Sequence, residues 1–498
     1  MFIRIDPRQR EPLQLQIYES VRRAILGGVL APGARLPSSR MLADELGVSR
    51  LTAVLAFEQL AAEGYLTSRV GAGTFVNREL PDSNALTPAS TTTVLVQHPQ
   101  LSQRGVSLSQ TPRVIRKIDG PPRAFRIGTP ALDRFPVTLW NRLVSRHTRR
   151  LTAPQLDYGD AAGLPALREA IATHVSRSRG TSCTADQVIV VAGAQQGLDM
   201  IARLLLDPGE VAWMEEPGYP GARAALTAAG ARIESAPVDE QGLIVQYNAS
   251  APRLVFTTPS HQFPLGVPMS LPRRLALLRW ARDTQAWVVE DDYDSEFRYG
   301  SRAIPCLHGL DTDGRVIYLG SFSKTLFPGL RLGYLVVPPD LQPLLVKARL
   351  ASDIHPQTFL QGVVADFIGE GHFERHVRRM NFEYRARLHA LEEGVHRYCH
   401  GVLELRSVTT GLHAAADLLT GDDAAVSREA FVRGIETMPL SGYYSMRTPS
   451  SANGLLLGFG SVPPRVVTES VKRLAAAIEA ATRRPHRNAN IAAPAMAP

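Results

Sequence analysis

The sequence predicts an α/β chain in two parts: a small N-terminal unit of helices and a β-hairpin, then a larger unit on a mostly parallel sheet. Three observations predict it. Short helical periods broken by turn residues fill the first 78 positions. From about Phe125 to Ala480, apolar strand-like runs alternate with amphipathic helical runs. The length of 498 residues also exceeds what one ordinary domain holds. The expected division is a first unit over 1–78, a linker over 79–122, a large unit over 123–480 and a disordered tail over 481–498. The linker shows weak periodicity and holds Thr91-Thr92-Thr93, His98-Pro99 and Pro121-Pro122. Residues 485–498 are rich in Ala, Pro and Asn.

In the first unit, Leu13, Ile17, Val21 and Ile25 recur every four residues and mark one face of a helix that stops at Gly27-Gly28. Pro32-Gly33 is a turn. Ser38 can cap a second helix with apolar positions Met41, Leu42 and Leu46. Gly47 ends it, and Ser49 caps a third helix, in which Ala53, Ala56, Phe57 and Leu60 point one way. Two strands, Tyr65–Arg69 and Thr74–Val76, flank Val70-Gly71-Ala72-Gly73 as a hairpin. Two short helices, a tight turn and a hairpin describe a winged helix-turn-helix. The first turn of the third helix then projects Ser49, Arg50 and Thr52 toward bases and phosphates. Arg40 lies near the DNA backbone, and Arg69 with the wing glycines, Gly71 among them, can approach a groove. Spacing alone also fits a small helical protein-binding module.

Composition sets bounds. Apolar residues make up 44% and charged residues 20% of the chain, enough for real cores. Cys183, Cys306 and Cys399 are scattered, with no disulfide framework and no metal-ligand spacing. No signal-peptide pattern and no bilayer-length apolar run is read, so a cytoplasmic protein without membrane contact is expected. The formal net charge of +8 is compatible with nucleic acid without establishing it. Residues 1–78 carry ten Arg plus Lys against seven Asp plus Glu, a surplus of three.

The larger unit is most informative at three predicted strand ends. Val188–Val191 runs into Ala192-Gly193-Ala194-Gln195-Gln196 and a helix. Ala286–Val289 runs into Glu290-Asp291-Asp292-Tyr293. Val316–Leu319 runs into Gly320-Ser321-Phe322-Ser323-Lys324. In open α/β sheets, ligands bind beyond the carboxyl ends of strands. A small-residue turn opening a helix offers N–H groups to a phosphate, Ser321 and Ser323 add hydroxyls, and Arg331 adds a charged fork. An acidic residue can keep a pyridine nitrogen protonated, and a lysine can form an imine with an aldehyde. Phosphate, pyridine and aldehyde together describe pyridoxal 5′-phosphate. Only four lysines exist. Lys117 falls in the linker, Lys347 in the run LLVKARL and Lys472 in a charged terminal helix; Lys324 alone sits at a strand end beside hydroxyls. Taken singly, Asp291 could be a helix cap and Ser323 a turn residue.

The run from Leu36 to Val76, LPSSRMLADELGVSRLTAVLAFEQLAAEGYLTSRVGAGTFV, resembles the GntR family of bacterial regulators almost end to end. Leu51 and Val54 lie on the outward side of the third helix, where many relatives carry polar residues; they can meet thymine methyl groups. SFSKTLFPGLRLGY (Ser321 to Tyr334), EDDYDSEFRY, TTPSHQFPLG, YGDAAGLPALREAI and AGAQQGLD resemble the MocR/GabR subfamily, which joins a GntR reader to an aminotransferase-like domain of fold type I. The resemblance covers nearly all of residues 10–480. It implies Lys324 as the catalytic imine partner of the cofactor, Asp291 on the pyridine nitrogen and Tyr293 on the ring oxygen. It also implies Ala194, Gln195, Ser321, Ser323 and Arg331 around the phosphate, Tyr219 stacked on the ring, and Tyr158 reaching a neighbouring protomer's phosphate in a homodimer.

Two departures from working aminotransferases bear on activity. Phe263-Pro264-Leu265-Gly266 stands where those enzymes carry Asn-Pro-x-Gly. Leu456 stands where they carry an arginine three residues before a phenylalanine, here Phe459. The first removes a ring-oxygen partner and the second a bidentate carboxylate clamp; Arg447 is one possible substitute. His261 and Gln262 can line the site or simply pack. The expectation is a promoter-binding regulator that senses an amine, an amino acid or the cofactor itself, without efficient turnover. An aminotransferase that also binds DNA is the alternative.

Overall fold

The computed structural model describes residues 3, 5–7, 11–69, 73–80, 101–111, 120–247, 251–300, 304–446, 448 and 451–483. Gly71, Lys117, Arg447 and the tail beyond 483 lie outside them. The chain divides into two compact units, Met1–Gln100 and Leu101–Pro498.

The first unit holds α1 (Leu13–Leu26), α2 (Ser39–Leu46), α3 (Arg50–Ala62), β1 (Leu66–Arg69) and β2 (Gly73–Val76). Its boundaries follow from local chemistry. The Ser38 hydroxyl accepts from the Met41 N–H, and the Ser49 hydroxyl accepts from the Thr52 N–H. Gly47, at φ 67°, makes the left-handed exit from α2 that a side chain would strain. Ile17, Val21, Ile25, Leu42, Ala53, Ala56, Phe57 and Leu60 close one core with Leu66 and Val76 from the hairpin. Of the apolar positions of α2, Met41 is 63% exposed. The helix is only eight residues long and buries only Leu42 and Ala43.

In the second unit, a short helix α4 (Gln103–Ser109), capped by Ser102, lies within the segment read as linker. The main sheet contains β3 (Val188–Val191), β4 (Val211–Glu216), β5 (Arg232–Asp239), β6 (Gly242–Leu243), β7 (Leu254–Thr257), β8 (Trp287–Asp292), β9 (Val316–Ser321) and β10 (Gly333–Val336). Their order is β3-β10-β9-β8-β7-β4-β5-β6. Strands β9, β8, β7, β4 and β5 run parallel; β10 is antiparallel to both its neighbours, and β6 to β5. The period of two divides the side chains between two cores. Ile189, Val191, Ile317, Leu319 and Leu335 pack on one face. Val188, Val190, Tyr318, Tyr334 and Val336 pack on the other. Both faces are covered, which is why these strands read as continuous apolar runs.

The alternation expected up to Ala480 does not continue in one sheet. A second, four-stranded sheet contains β11 (Leu403–Leu405), β12 (His413–Leu418), β13 (Met438–Pro439) and β14 (Gly454–Gly458), in the order β11-β12-β14-β13 and wholly antiparallel. Helices His372–Tyr398, Asp423–Val432 and Pro464–Arg483 accompany it in sequence, and their apolar residues share one core with its strands. The segment around Phe125 joins this sheet: the Gly458 N–H donates to the Phe125 carbonyl at 2.9 Å. Among the described residues no helix is long and apolar enough to cross a membrane.

Candidate cofactor site and nucleic-acid interface

Strands β3, β8 and β9 end on the same side of the main sheet, and each delivers a polar group there. At the end of β9, Ser321 caps a single turn, its hydroxyl accepting from the Ser323 N–H at 3.1 Å. Lys324 follows on that turn. Its Nζ donates to the Gly128 carbonyl at 2.7 Å, and burial lowers its pKa. Gly128 sits at φ 71°, which favours glycine, and a Cβ there would stand 2.7 Å from Nζ and displace the lysine's end.

Strand β8 carries a row of carboxylates whose partners separate their roles. Glu290 accepts from the Leu307 and His308 N–H groups, with Arg274 at 3.7 Å. Asp292 meets the Tyr318 hydroxyl at 2.8 Å and Arg179 at 2.9 Å. Arg179 also pairs with Glu296 at 2.9 Å, and its positive charge helps hold that carboxyl down at about 2. Asp291 differs: it is 4% exposed, and its Oδ1 has no hydrogen-bond partner. Burial, then Asp292, push its carboxyl up to about 8, while Lys324 opposes the shift. A buried oxygen left in this state calls for a donor, best a charged one.

Beyond β3, Gly193 sits at φ 91° and opens the helix Ala194–Leu205 without a side-chain cap. Its first N–H groups are therefore open to an anion. Arg331, itself left-handed at φ 51°, donates to the Ala192 carbonyl at 3.0 Å. A Cβ at Gly193 would meet its guanidinium at 3.3 Å. The Gln195 amide donates to the Gly221 carbonyl, while its Oε1 is buried and unpartnered.

Aromatic rings form one wall. Phe263 lies edge-on to Tyr219 at 5.6 Å, Tyr443 at 5.2 Å and His413 at 5.6 Å. The Tyr293 hydroxyl donates to the His261 carbonyl at 2.8 Å. His261 Nδ1 lies 3.0 Å from Asp294, and its ring stacks on His413 at 4.4 Å. Gln262 is tied down instead: its amide donates to the Pro217 and Phe263 carbonyls and its oxygen accepts from the Leu265 N–H. Leu456 is fully buried on β14 against Ala415, Leu440 and Tyr443, with Ile127 and Phe263 alongside.

The sequence reading missed Gly128, Asp294 and His413. Gly128 precedes β3 by 60 residues with no motif around it, and His413 opens a strand of the unforeseen sheet. Tyr158 stands apart within this single chain, 76% exposed and edge-on to His355 at 5.8 Å.

In the first unit Arg40, Arg50 and Arg69 are exposed, and Arg69 lies over the Phe75 ring at 5.6 Å. Ser49 and Thr52 share a hydroxyl contact at 2.8 Å, so both take part in capping α3. Leu51 is 65% exposed on the same turn, and Val54 is half-buried.

Residues 13–76 match the bacterial regulatory proteins of the gntR family, and residues 142–402 match aminotransferase class I and II. The chain is 40% identical to the probable rhizopine catabolism regulatory protein MocR of Rhizobium meliloti, over 94% of each chain. It is 32% identical to the pyridoxine biosynthesis transcriptional regulator PdxR of Corynebacterium glutamicum, covering 92% of this chain and 94% of that one. The kynurenine aminotransferase of Pyrococcus horikoshii, solved with PMP, superposes with a TM-score of 0.67 at 27% identity, over 73% of this chain and 92% of that one. A gntR-type reader and an aminotransferase-type unit in one chain, matched over 94% of its length by MocR, make this protein a member of the MocR/GabR subfamily of GntR-type transcription regulators.

Proposed function

We propose that the larger unit binds pyridoxal 5′-phosphate and, through it, senses a small amine, an amino acid or the cofactor itself, and that the reader then alters its hold on promoter DNA. One observation carries this reading: a buried, unpartnered Asp291 oxygen and the half-buried Lys324 stand at the same strand ends as an uncapped helix N-terminus and Arg331. When bound, the cofactor supplies an aldehyde that takes up primary amines.

Lys324 is its covalent attachment point, and Asp291 holds the ring nitrogen protonated. The Tyr293 hydroxyl reaches the ring oxygen, and Tyr219 covers the ring face. Ala194, Gln195, Ser321, Ser323 and Arg331 hold the phosphate. The second unit acts as a homodimer in which Tyr158 serves the partner's phosphate, and residues 79–122 tether it to the reader over 1–78. Arg40, Ser49, Arg50, Thr52, Arg69 and Gly71 meet the DNA, and a promoter-binding role puts the protein in the cytoplasm. Leu456 and Phe263 favour sensing over turnover.

The test is promoter binding by fluorescence anisotropy, with and without the cofactor, across a panel of amines and amino acids. Turnover with a keto acid is measured on the same samples. Effector-dependent affinity with turnover far below an ordinary enzyme's, about 10 per second, supports the reading. Promoter binding no tighter than to random DNA under every condition refutes it.

A further inference from the structure

An apolar wall begins one residue from the carbonyl that holds the Lys324 amine. Gly128, whose carbonyl holds Nζ, is preceded by half-buried Ile127. Ile127 packs with Phe263 on a cluster of Ala415, Leu440, Tyr443 and Leu456. Phe263 is half-buried, like Tyr219 and Tyr293 beside it, and Leu456 lies fully buried in the cluster that Phe263 packs against.

His413 adds one polar atom to this wall. It is 3% exposed, lies edge-on to Phe263 and face-parallel to Tyr293 at 6.4 Å, and its Nε2 has no partner. Burial, then the neighbouring His261, hold its pKa well below the ordinary value, so the ring is neutral. A hydrogen bond to the Pro264 carbonyl favours a proton on the ring. With Nε2 unpartnered, that assigns the hydrogen to Nδ1 and leaves the Nε2 lone pair as an acceptor. Such a nitrogen receives a hydroxyl or an amide N–H. It repels a carboxylate.

We propose that this wall selects primary amines with an uncharged arm, apolar or bearing a hydroxyl, and rejects α-amino acids. The proposal rests on the reading of Lys324 as the cofactor's attachment point. Among the described residues of this wall, Leu456, Ile127 and Phe263 offer a carboxylate neither a cation nor a donor, so one set against them would lose its water uncompensated. A plain amine brings no such charge.

The experiment titrates the full-length, cofactor-loaded protein with matched pairs: phenethylamine against phenylalanine, and isoamylamine against leucine. The readouts are the visible absorbance of the bound cofactor and the shift in unfolding temperature. Each amine should act at concentrations at least about tenfold lower than its amino acid. Basicity does not produce that result, because the α-amino group is the less basic of the two and offers more free amine at a given pH. Leu456→Arg should narrow or reverse the preference while the cofactor content stays equal. Amino acids acting as well as or better than their amines in the wild-type protein would overturn the proposal, whether or not the variant folds. Absence of the visible band before any amine is added would instead remove the cofactor reading, and this subsite with it. The two failures are therefore distinct.

Discussion

In the first unit the side chains proposed to meet DNA stand in water. Arg40, Arg50 and Arg69 are exposed, and only short caps at Ser38 and Ser49 hold the helices that present them. In the larger unit Asp291 lies almost wholly out of water, and the protonation of Asp291 and Lys324 depends on the groups around them. The difference reflects the ligands. A polyanionic duplex is met by charges that keep their hydration until contact, and affinity is spread over many of them. A small cofactor must be held by few groups, and Asp291, proposed to meet its ring nitrogen, is buried where a charge matters most. The largest single-residue effect is therefore expected in the cleft and the smallest in the reader.

The largest effect is expected at Lys324. Lys324→Ala should keep the fold yet lose the visible absorbance and any borohydride-reducible adduct, checked by spectroscopy and intact mass. An adduct that survives in the variant would move the attachment point elsewhere.

Asp291 comes next. Asp291→Asn should cost about 1.5–3 kcal/mol of cofactor binding, or roughly ten- to a hundredfold in affinity. It also has a pH signature. The folded-state pKa of about 8 lies above the ordinary value of 3.8, so the folded protein holds a proton that the unfolded chain gives up. The associated stability is present below the ordinary value and is lost as pH rises through about 8. The unfolding temperature of the cofactor-free protein should fall across that window, and Asp291→Asn should flatten the fall. An equal slope in the variant would assign the pH dependence to other groups.

In the reader, Arg50→Ala should cost about 1–3 kcal/mol with relaxed preference at one base pair if the contact is to guanine. If the contact is to phosphate, affinity should fall evenly across sequences and the salt slope should shrink by about one. Anisotropy titrations at several salt concentrations separate the two, and no change in either quantity would take Arg50 out of the interface. The smallest effect is expected from Ser38→Ala, which removes one cap and should destabilise the first unit by about 1 kcal/mol. Denaturant unfolding of the full chain, followed by a probe in that unit, measures it.

Much of this contrast was legible in the sequence, for reasons that differ by region. The caps Ser38 and Ser49 and the turn at Gly47 are local signals, and the structure forms the elements they predict. Asp291 and Lys324 could be singled out because each ends a strand whose apolar run is itself plain. What the sequence hid is what depends on long-range pairing. Gly128 becomes part of the site only through its carbonyl. His413 matters through the rings around it. The antiparallel sheet escaped notice because two of its strands, β11 and β13, span three and two residues, too short to establish a period. Met41 shows that an apolar position need not be a core position, because a two-turn helix gives a side chain little core to reach.

The Lys324–Gly128 hydrogen bond joins residues 196 positions apart in the chain. Nearby, the Ala131 N–H donates to the Tyr384 hydroxyl across 253 positions, and Arg123 reaches the Phe431 carbonyl across 308. This segment can dock only after most of the polypeptide has been synthesised, since loops of that length must close first. The reader, by contrast, has its last strand by residue 76. During translation the DNA-binding unit can fold well before the sensing cleft exists. A nascent or truncated chain is thus able to present a finished helix-turn-helix that answers to no small molecule, and uptake of the proposed cofactor would mark the moment when the two halves of the protein have both been made.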